Sequence, residues 1–244
     1  MSQNGIAART VGASKIYGSG DASVTALDNV TVSFDRGQFT AIMGPSGSGK
    51  STLLHCLAGL DVLTGGKTFI GDVDLGALSE KDLTLLRREK VGFVFQAFNL
   101  IPTLNASENI GLPLAIAGKS PDAAWHDQVI DTIGIRDRLS HKPSELSGGQ
   151  QQRVAAARAL VSQPEIIFAD EPSGNLDSTS GNELLGFMRA AVDEFGQTIV
   201  MVTHDAHAAA YADRVVFLQD GHVVHEMMDP TSDAILDHLK SMEG

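Results

Sequence analysis

Short apolar runs alternate with amphipathic stretches along most of this chain, at the two spacings that distinguish strands from helices. Val30 to Phe34 alternates apolar and polar side chains, the period of a half-buried strand, and Asp35-Arg36-Gly37-Gln38 supplies a turn. Phe39 to Met43 then runs apolar into the stretch Gly44 to Gly49, and a helix is expected over Lys50 to Leu60. Lys67 to Ile70 and Val73 to Leu75 flank Gly71-Asp72 as a hairpin. Ser79-Glu80-Lys81-Asp82 offers a helix start, with Leu83, Leu85 and Leu86 as its apolar face. Val91 to Phe95 reads as a buried strand that ends at Gln96.

From Ala97 to about Val161 the strand-like runs vanish, and Pro102, Pro113, Pro121 and Pro143 separate short helical segments. A helical subdomain inserted over 97–161 is therefore expected. The strand pattern resumes at Glu165 to Ala169, followed by a helix with apolar spacing at Leu184, Leu185, Met188, Ala191, Val192 and Phe195. Thr198 to Thr203 is another buried strand, and Arg214 to Leu218 with His222 to His225 flanks Asp220-Gly221 as a hairpin. Asp229-Pro230 offers an N-cap and first-turn proline for a last helix, Thr231 to Met242, within a C-terminal segment 229–244. The alternation predicts an α/β fold, a mainly parallel sheet covered on both faces, built from 1–96 and 162–228.

At 244 residues, with 43% hydrophobic and 20% charged positions, the chain suits one α/β domain with a well-buried core. Its formal net charge of −12 weighs against nucleic acid as a partner, since phosphate backbones call for clustered Lys and Arg. The N-terminal stretch has no apolar h-region, and no apolar run approaches the ~20 residues of a membrane helix. Cys56 is the only cysteine and lies in an apolar run, which points to a buried thiol and excludes an internal disulfide. A cytoplasmic chain is expected, with no direct membrane insertion of its own.

Gly44-Pro45-Ser46-Gly47-Ser48-Gly49-Lys50-Ser51 fits G-x-x-x-x-G-K-[ST] between an apolar strand and a helix, the context that gives the motif meaning. Glycines let backbone N–H groups turn towards phosphates, and the helix N-terminus adds partial positive charge. Gly44, Ser46, Gly47, Ser48, Gly49 and Thr52 would form the cradle, Lys50 would reach the β- and γ-phosphates, and Ser51 would ligate Mg²⁺. Ile166 to Ala169 ends in Asp170-Glu171, two acids at the sheet edge where α/β folds bind ligands. Asp170 could hold Mg²⁺ through water and Glu171 could act as general base; strand-end acids are also common turn caps. Gly148-Gly149 opens a helix over Gln150 to Val161, so Ser147 is either an N-cap or part of a second anion site.

With Leu146-Ser147-Gly148-Gly149-Gln150 about twenty residues before Asp170-Glu171, the chain resembles the ATP-binding cassette (ABC) ATPases. The resemblance implies a P-loop NTPase fold with an antiparallel β subdomain beside the core, and ATP with Mg²⁺ as cofactors. It also implies that Tyr17 stacks on adenine and that Gln96 senses Mg²⁺ and the attacking water. In the same pattern His204 bonds the γ-phosphate, and Ser173-Gly174-Asn175-Leu176-Asp177 lies across a dimer seam. Ser147, Gly148, Gly149 and Gln150 would contact the γ-phosphate held by a second copy of the chain. Ser173 stands where a threonine is commoner.

Gly92 to Pro102, Glu108 to Leu114 and Gly174 to Asp177 look like the bacterial MacB/LolD/FtsE group. That likeness implies an ATPase subunit that dimerises on ATP and drives an integral membrane permease, peripheral to the inner face of the membrane through that partner. Phe95, Phe98, Leu100 and Ile101 either line a groove for a helix of the partner or pack internally. A soluble ABC ATPase uncoupled from transport is the rival reading; its nucleic-acid versions call for coiled-coil insertions, zinc motifs, twin cassettes or basic surfaces, and none is visible. A binding module with dead sites would lack acids such as Glu171 and a partner such as His204.

Overall fold

The computed structural model describes residues 5–242. The chain begins with strands β1 (Ile6–Tyr17), β2 (Val24–Asp35) and β3 (Phe39–Met43), followed by helix α1 (Lys50–Leu57). Next come β4 (Gly65–Ile70), β5 (Val73–Asp74), α2 (Glu80–Lys90) and β6 (Val91–Phe95). Residues 97–161 hold α3 (Ala106–Ile116), α4 (Ala123–Ile133) and α5 (Gly148–Leu160), with short 3-10 turns and no strand. The rest is β7 (Ile166–Asp170), α6 (Ser178–Phe195), β8 (Ile199–Val202), α7 (Ala206–Ala209), β9 (Arg214–Gln219), β10 (His222–Met228) and α8 (Ser232–Met242).

Two sheets result. The larger has the order β10-β9-β3-β8-β7-β6, parallel throughout except for the antiparallel edge strand β10. Its central strands are apolar at nearly every position because both faces are covered. Phe39, Ala41, Met43, Ile167, Ala169, Ile199, Met201, Val215 and Phe217 pack with α3 to α6 on one face. Their alternates Ile42, Ile166, Phe168, Val200, Val202, Val216 and Leu218 pack with α1, β1 and β2 on the other. The smaller sheet, β2-β1-β4-β5, is antiparallel throughout. The expected α/β fold, a mainly parallel core with an antiparallel β subdomain and helices inserted, is what the chain forms.

Several boundaries differ from the expected ones. β1 carries no clean alternation, because register shifts at Thr10/Ala13 and neighbouring points break its period of two; the same shifts hide the first half of β2. Helix α1 stops at Leu57, not Leu60, since Gly59 turns left-handed (φ 66°) and the Leu60 N–H closes onto the His55 carbonyl. Pro113 does not separate segments but lies inside α3, which an Asn105–Glu108 capping box starts upstream. Leu75 leaves the hairpin for a 3-10 turn capped by the Asp74 carboxylate. Asp229 sits at φ 46° at the end of β10, and Thr231, whose hydroxyl accepts from the Ala234 N–H, caps α8 in its place.

Candidate nucleotide and catalytic site

β3 delivers the chain to Gly44, and α1 leaves it at Lys50, so the phosphate loop is strung between a buried strand and a helix N-terminus. Gly49 has φ 98°, and a Cβ there would collide with the Ala26 carbonyl; only glycine closes this turn. Ser48 is buried, and its carbonyl accepts from the Gly221 N–H at 3.1 Å, which ties the loop to the β9–β10 turn. Ser46 and Gly47 remain exposed at the crest. Lys50 Nζ donates to the Gly44 and Pro45 carbonyls at 2.9 and 2.7 Å. Burial lowers its pKa, and the carboxylates of Glu171 and Asp170 act in the opposite direction. This partly desolvated ammonium, satisfied only by loop carbonyls, would gain by exchanging them for phosphate oxygens.

The Ser51 hydroxyl donates to Asp170 Oδ1 at 3.1 Å, across the gap between α1 and the end of β7. His55, one turn further along α1 and on the same face, places Nε2 3.4 Å from Asp170 Oδ2. The hydrogen bond to Asp170 raises the His55 pKa, against the effect of burial. A hydroxyl and a carboxylate suit a hard cation such as Mg²⁺, which keeps several waters and phosphate oxygens of its own. Among the described residues no group of three or more His, Cys, Asp or Glu side chains converges as a metal cage. The donor set therefore fits Mg²⁺ brought in with a polyphosphate.

Glu171 follows β7 with φ 47°, a left-handed backbone uncommon outside glycine, and such strain tends to gather at working sites. Its N–H still bonds the Val202 carbonyl at 2.9 Å, so the turn is braced by β8. Glu171 Oε1 lies 2.9 Å from Nδ1 of His204, an exposed side chain just past β8. Gln96, exposed after β6, donates Nε2 to Asn175 Oδ1 at 3.3 Å, and Asn175 Nδ2 returns a bond to the Gln96 carbonyl at 3.1 Å.

Tyr17, at the end of β1, is 42% exposed, and its hydroxyl donates to Asp61 Oδ2 at 2.6 Å. Lys15 Nζ bonds the other Asp61 oxygen at 2.6 Å and lies 4.7 Å from the Tyr17 ring centre. Burial and the Asp61 carboxylate raise the phenol pKa, while Thr52 on α1 lowers it. An aromatic plane pinned at its tip beside the phosphate-loop helix is suited to stacking on a flat base.

Ser147, Gly148, Gly149 and Gln150 stand apart from this group. Gln150 N–H donates to Ser147 Oγ at 3.3 Å and Ser147 N–H to Gln150 Oε1 at 2.9 Å, a capping box that opens α5. The nearest outside neighbours of Gly148 are Phe98 and Leu176, and that of Gly149 is Ser180; none belongs to the phosphate loop. Phe98 thus leaves the expected apolar cluster for the start of α5, and Leu100 packs on the main core. Phe95 alone of the four lines a groove of about 410 Å³, with Phe93, Leu112, Pro113, Ile116, Arg88 and Arg158.

His55 and Asp61 were not among the expected site residues, and Asn175 was expected only in the seam loop, not as a partner of Gln96. Only His55 left a usable signal: it follows Ser51 by four positions on a helix, which puts both on one face.

A glycine-rich phosphate loop, a strand-end acid pair and a second diglycine helix start, on a parallel sheet, define a P-loop nucleoside triphosphatase of cassette architecture. The chain belongs to the ABC transporter family, whose model matches residues 27–174. It is 46% identical over 212 residues to the ABC transporter ATP-binding protein MJ1508 of Methanocaldococcus jannaschii, covering 86% of this chain and 94% of that one. It is also 46% identical over 212 residues to the macrolide export ATP-binding/permease protein MacB of Bdellovibrio bacteriovorus, of which it spans only 32%. A dimeric structure of a post-hydrolysis state of the ATP-binding cassette MJ0796, bound to ADP and Pi, matches with a TM-score of 0.82. That match has 40% sequence identity and covers 91% of this chain and 98% of that one.

Proposed function

We propose that this ABC ATPase completes its active site only when two copies meet head to tail around ATP, and that the cycle drives a membrane permease of the MacB/FtsX type. The observation that carries the reading is the division of the site. Lys50, Ser51, Asp170, Glu171 and His204 gather at one sheet edge, whereas Ser147–Gln150 present a capped helix start elsewhere on the same chain. This helix start, with Ser147 exposed and Gly148 half-buried, offers N–H groups and dipole to an anion, and here the anion would be the γ-phosphate bound by the other copy. That the similar MJ0796 cassette is dimeric with ADP and Pi bound supports a site that needs two copies.

Catalysis is then a matter of placing groups and holding charge. The phosphate loop receives the β- and γ-phosphates, and Lys50 turns from the loop carbonyls to them. Mg²⁺, held by Ser51 with Asp170 through water, would neutralise phosphate charge. Glu171 accepts a proton from the attacking water, with His204 and Gln96 ordering the surroundings of that water. The segment 97–161 is proposed to move as a helical unit between the two sites. The 410 Å³ groove, floored by Phe93 and Phe95 with Arg88 and Arg158 at its edge, is the proposed seat of the permease on the cytoplasmic face of the membrane.

Glu171→Gln tests the core of this reading. It should abolish phosphate release and yield a dimer that appears in size-exclusion chromatography only with ATP. Undiminished phosphate release, or a monomer at saturating ATP, would overturn it.

A further inference from the structure

Gln152 is a fully buried side chain on the helix that carries the diglycine start. Its Nε2 donates to two carbonyls from different parts of the site: Phe95, the residue before Gln96, at 2.9 Å, and Pro172, the residue after Glu171, at 2.7 Å. Turning the amide over would set Oε1 against both carbonyl oxygens, so the donor assignment follows from the geometry. Oε1 is itself buried without a partner. A buried acceptor left unpaired destabilises the fold, and a leucine or methionine of similar size would avoid that cost. The amide is thus more than a filler of space.

Both carbonyls report on reacting groups. Pro172 is buried with a ring-fixed φ, so fixing its carbonyl leaves little freedom in the strained Glu171 backbone beside it. The Phe95 carbonyl belongs to the peptide that leads into Gln96. On the outer side, Asn175 ties the same two segments through Gln96. The inner tie alone reaches α5.

We propose that Gln152 is a positioning residue for ATP hydrolysis: it joins the helix that begins at Gly148 to the Phe95 and Pro172 carbonyls, so docking of that helix on the other copy's nucleotide is felt at Glu171 and Gln96 of its own chain. The proposal rests on the two-copy reading above. Each site then learns through one amide whether the α5 helix beside it is engaged.

Gln152→Met keeps the volume and removes both donors; Gln152→Asn keeps the amide but shortens its reach. In steady-state assays both should lose about tenfold or more in kcat, with KM for ATP within about twofold. In a Glu171→Gln background, ATP-dependent dimerisation should persist at the same ATP concentration. A filler role would lower the melting temperature and leave kcat of the folded protein intact, and that result removes the proposal; so does a parallel loss of dimerisation and kcat. If both variants fail to fold, hydrogen exchange on the unaltered chain decides. A non-hydrolysable ATP analogue with Mg²⁺ should change protection of 95–98 and 172–176 together, and a change in one segment alone overturns the tie. Absence of an ATP-dependent dimer in Glu171→Gln itself would instead remove the two-copy reading.

Discussion

Glu171 Oε1 and His204 Nδ1 lie 2.9 Å apart, one on the residue after β7 and the other two residues past the end of β8. A carboxylate in its ionised form only accepts hydrogen bonds, so this contact is made by the tautomer that carries its proton on Nδ1. Parallel pairing of Asp170 with Val202 brings the ends of the two strands level, so the acid and the imidazole emerge side by side. If the histidine orders Glu171 and the charge developing on phosphate, its loss should act on turnover. His204→Ala is expected to lower kcat by about 10²-fold while ATP binding to the monomer, followed by fluorescent-nucleotide titration, stays within about threefold.

Ile116 is 65% exposed at the end of α3 and lines the same groove as Phe95. An exposed apolar side chain on a groove wall is a docking contact if the permease sits there. Ile116→Asp should leave basal ATPase activity and melting temperature unchanged, because the position is solvated in the free chain. Stimulation by the reconstituted permease should fall by about tenfold or more. Full stimulation with the aspartate in place would move the contact elsewhere.

Much of the core was legible because its strands are largely apolar on both faces: Ile199–Val202 is an uninterrupted apolar run, and Phe39–Met43 and Val91–Phe95 are broken only by Thr40 and Gly92. The phosphate loop and Asp170-Glu171 were legible for a related reason: their spacing is local, fixed by one strand end and one helix start. β1 was not, since its bulges scatter the alternation where it pairs with β2 and its other partner, β4, lies farther along the chain. Gln152, and the bond of the seam-loop Asn175 to Gln96, were hidden because these contacts span long sequence separations, 57 residues from Gln152 to Phe95 and 79 from Gln96 to Asn175. A pattern of residue types carries no record of such contacts. The end of α1 was misread for a simpler reason: Leu60 continues the apolar spacing, but Gly59 has already reversed the backbone.

Cys56 lies on the buried face of α1, where desolvation first, and Asp61 second, push its thiol up to about 12 from an ordinary 9.0. The folded chain therefore holds the thiol neutral where the unfolded chain would ionise it. Stability from this group is complete below pH 9 and is lost as pH rises from about 9 towards 12. Because the thiolate is the nucleophile, alkylation by iodoacetamide at pH 8 should be about 10³-fold slower in the native chain than in urea. Comparable rates would show that α1 opens readily. Nucleotide should slow the native reaction further if the phosphate loop and α1 are stabilised together.

The start of α5 touches α6 at one point with no room to spare. A Cβ at Gly149 would stand 2.5 Å from Ser180 Oγ and 2.7 Å from Ser180 Cβ, so the Ser180 side chain occupies the volume that glycine vacates. Ser180 cannot easily give way, because its N–H and Oγ both bond the Asp177 carboxylate at 3.0 and 2.9 Å, capping α6. Gly149→Ala should push the two helix starts apart, with a destabilisation of about 1–3 kcal/mol as for other overpacked sites. Displacement of the Gly148 and Gly149 N–H groups should also cost the ATP-dependent dimer. Adding Ser180→Gly removes both clashing atoms while retaining the Ser180 N–H to Asp177. The double variant should recover part of the dimerisation measured by analytical ultracentrifugation, although glycine in the first turn of α6 itself costs up to about 1 kcal/mol. Ser180→Ala, which leaves the clashing Cβ in place, should recover less. Equal rescue by alanine and glycine would mean that the hydroxyl, and not the crowded carbon, sets the distance between α5 and α6.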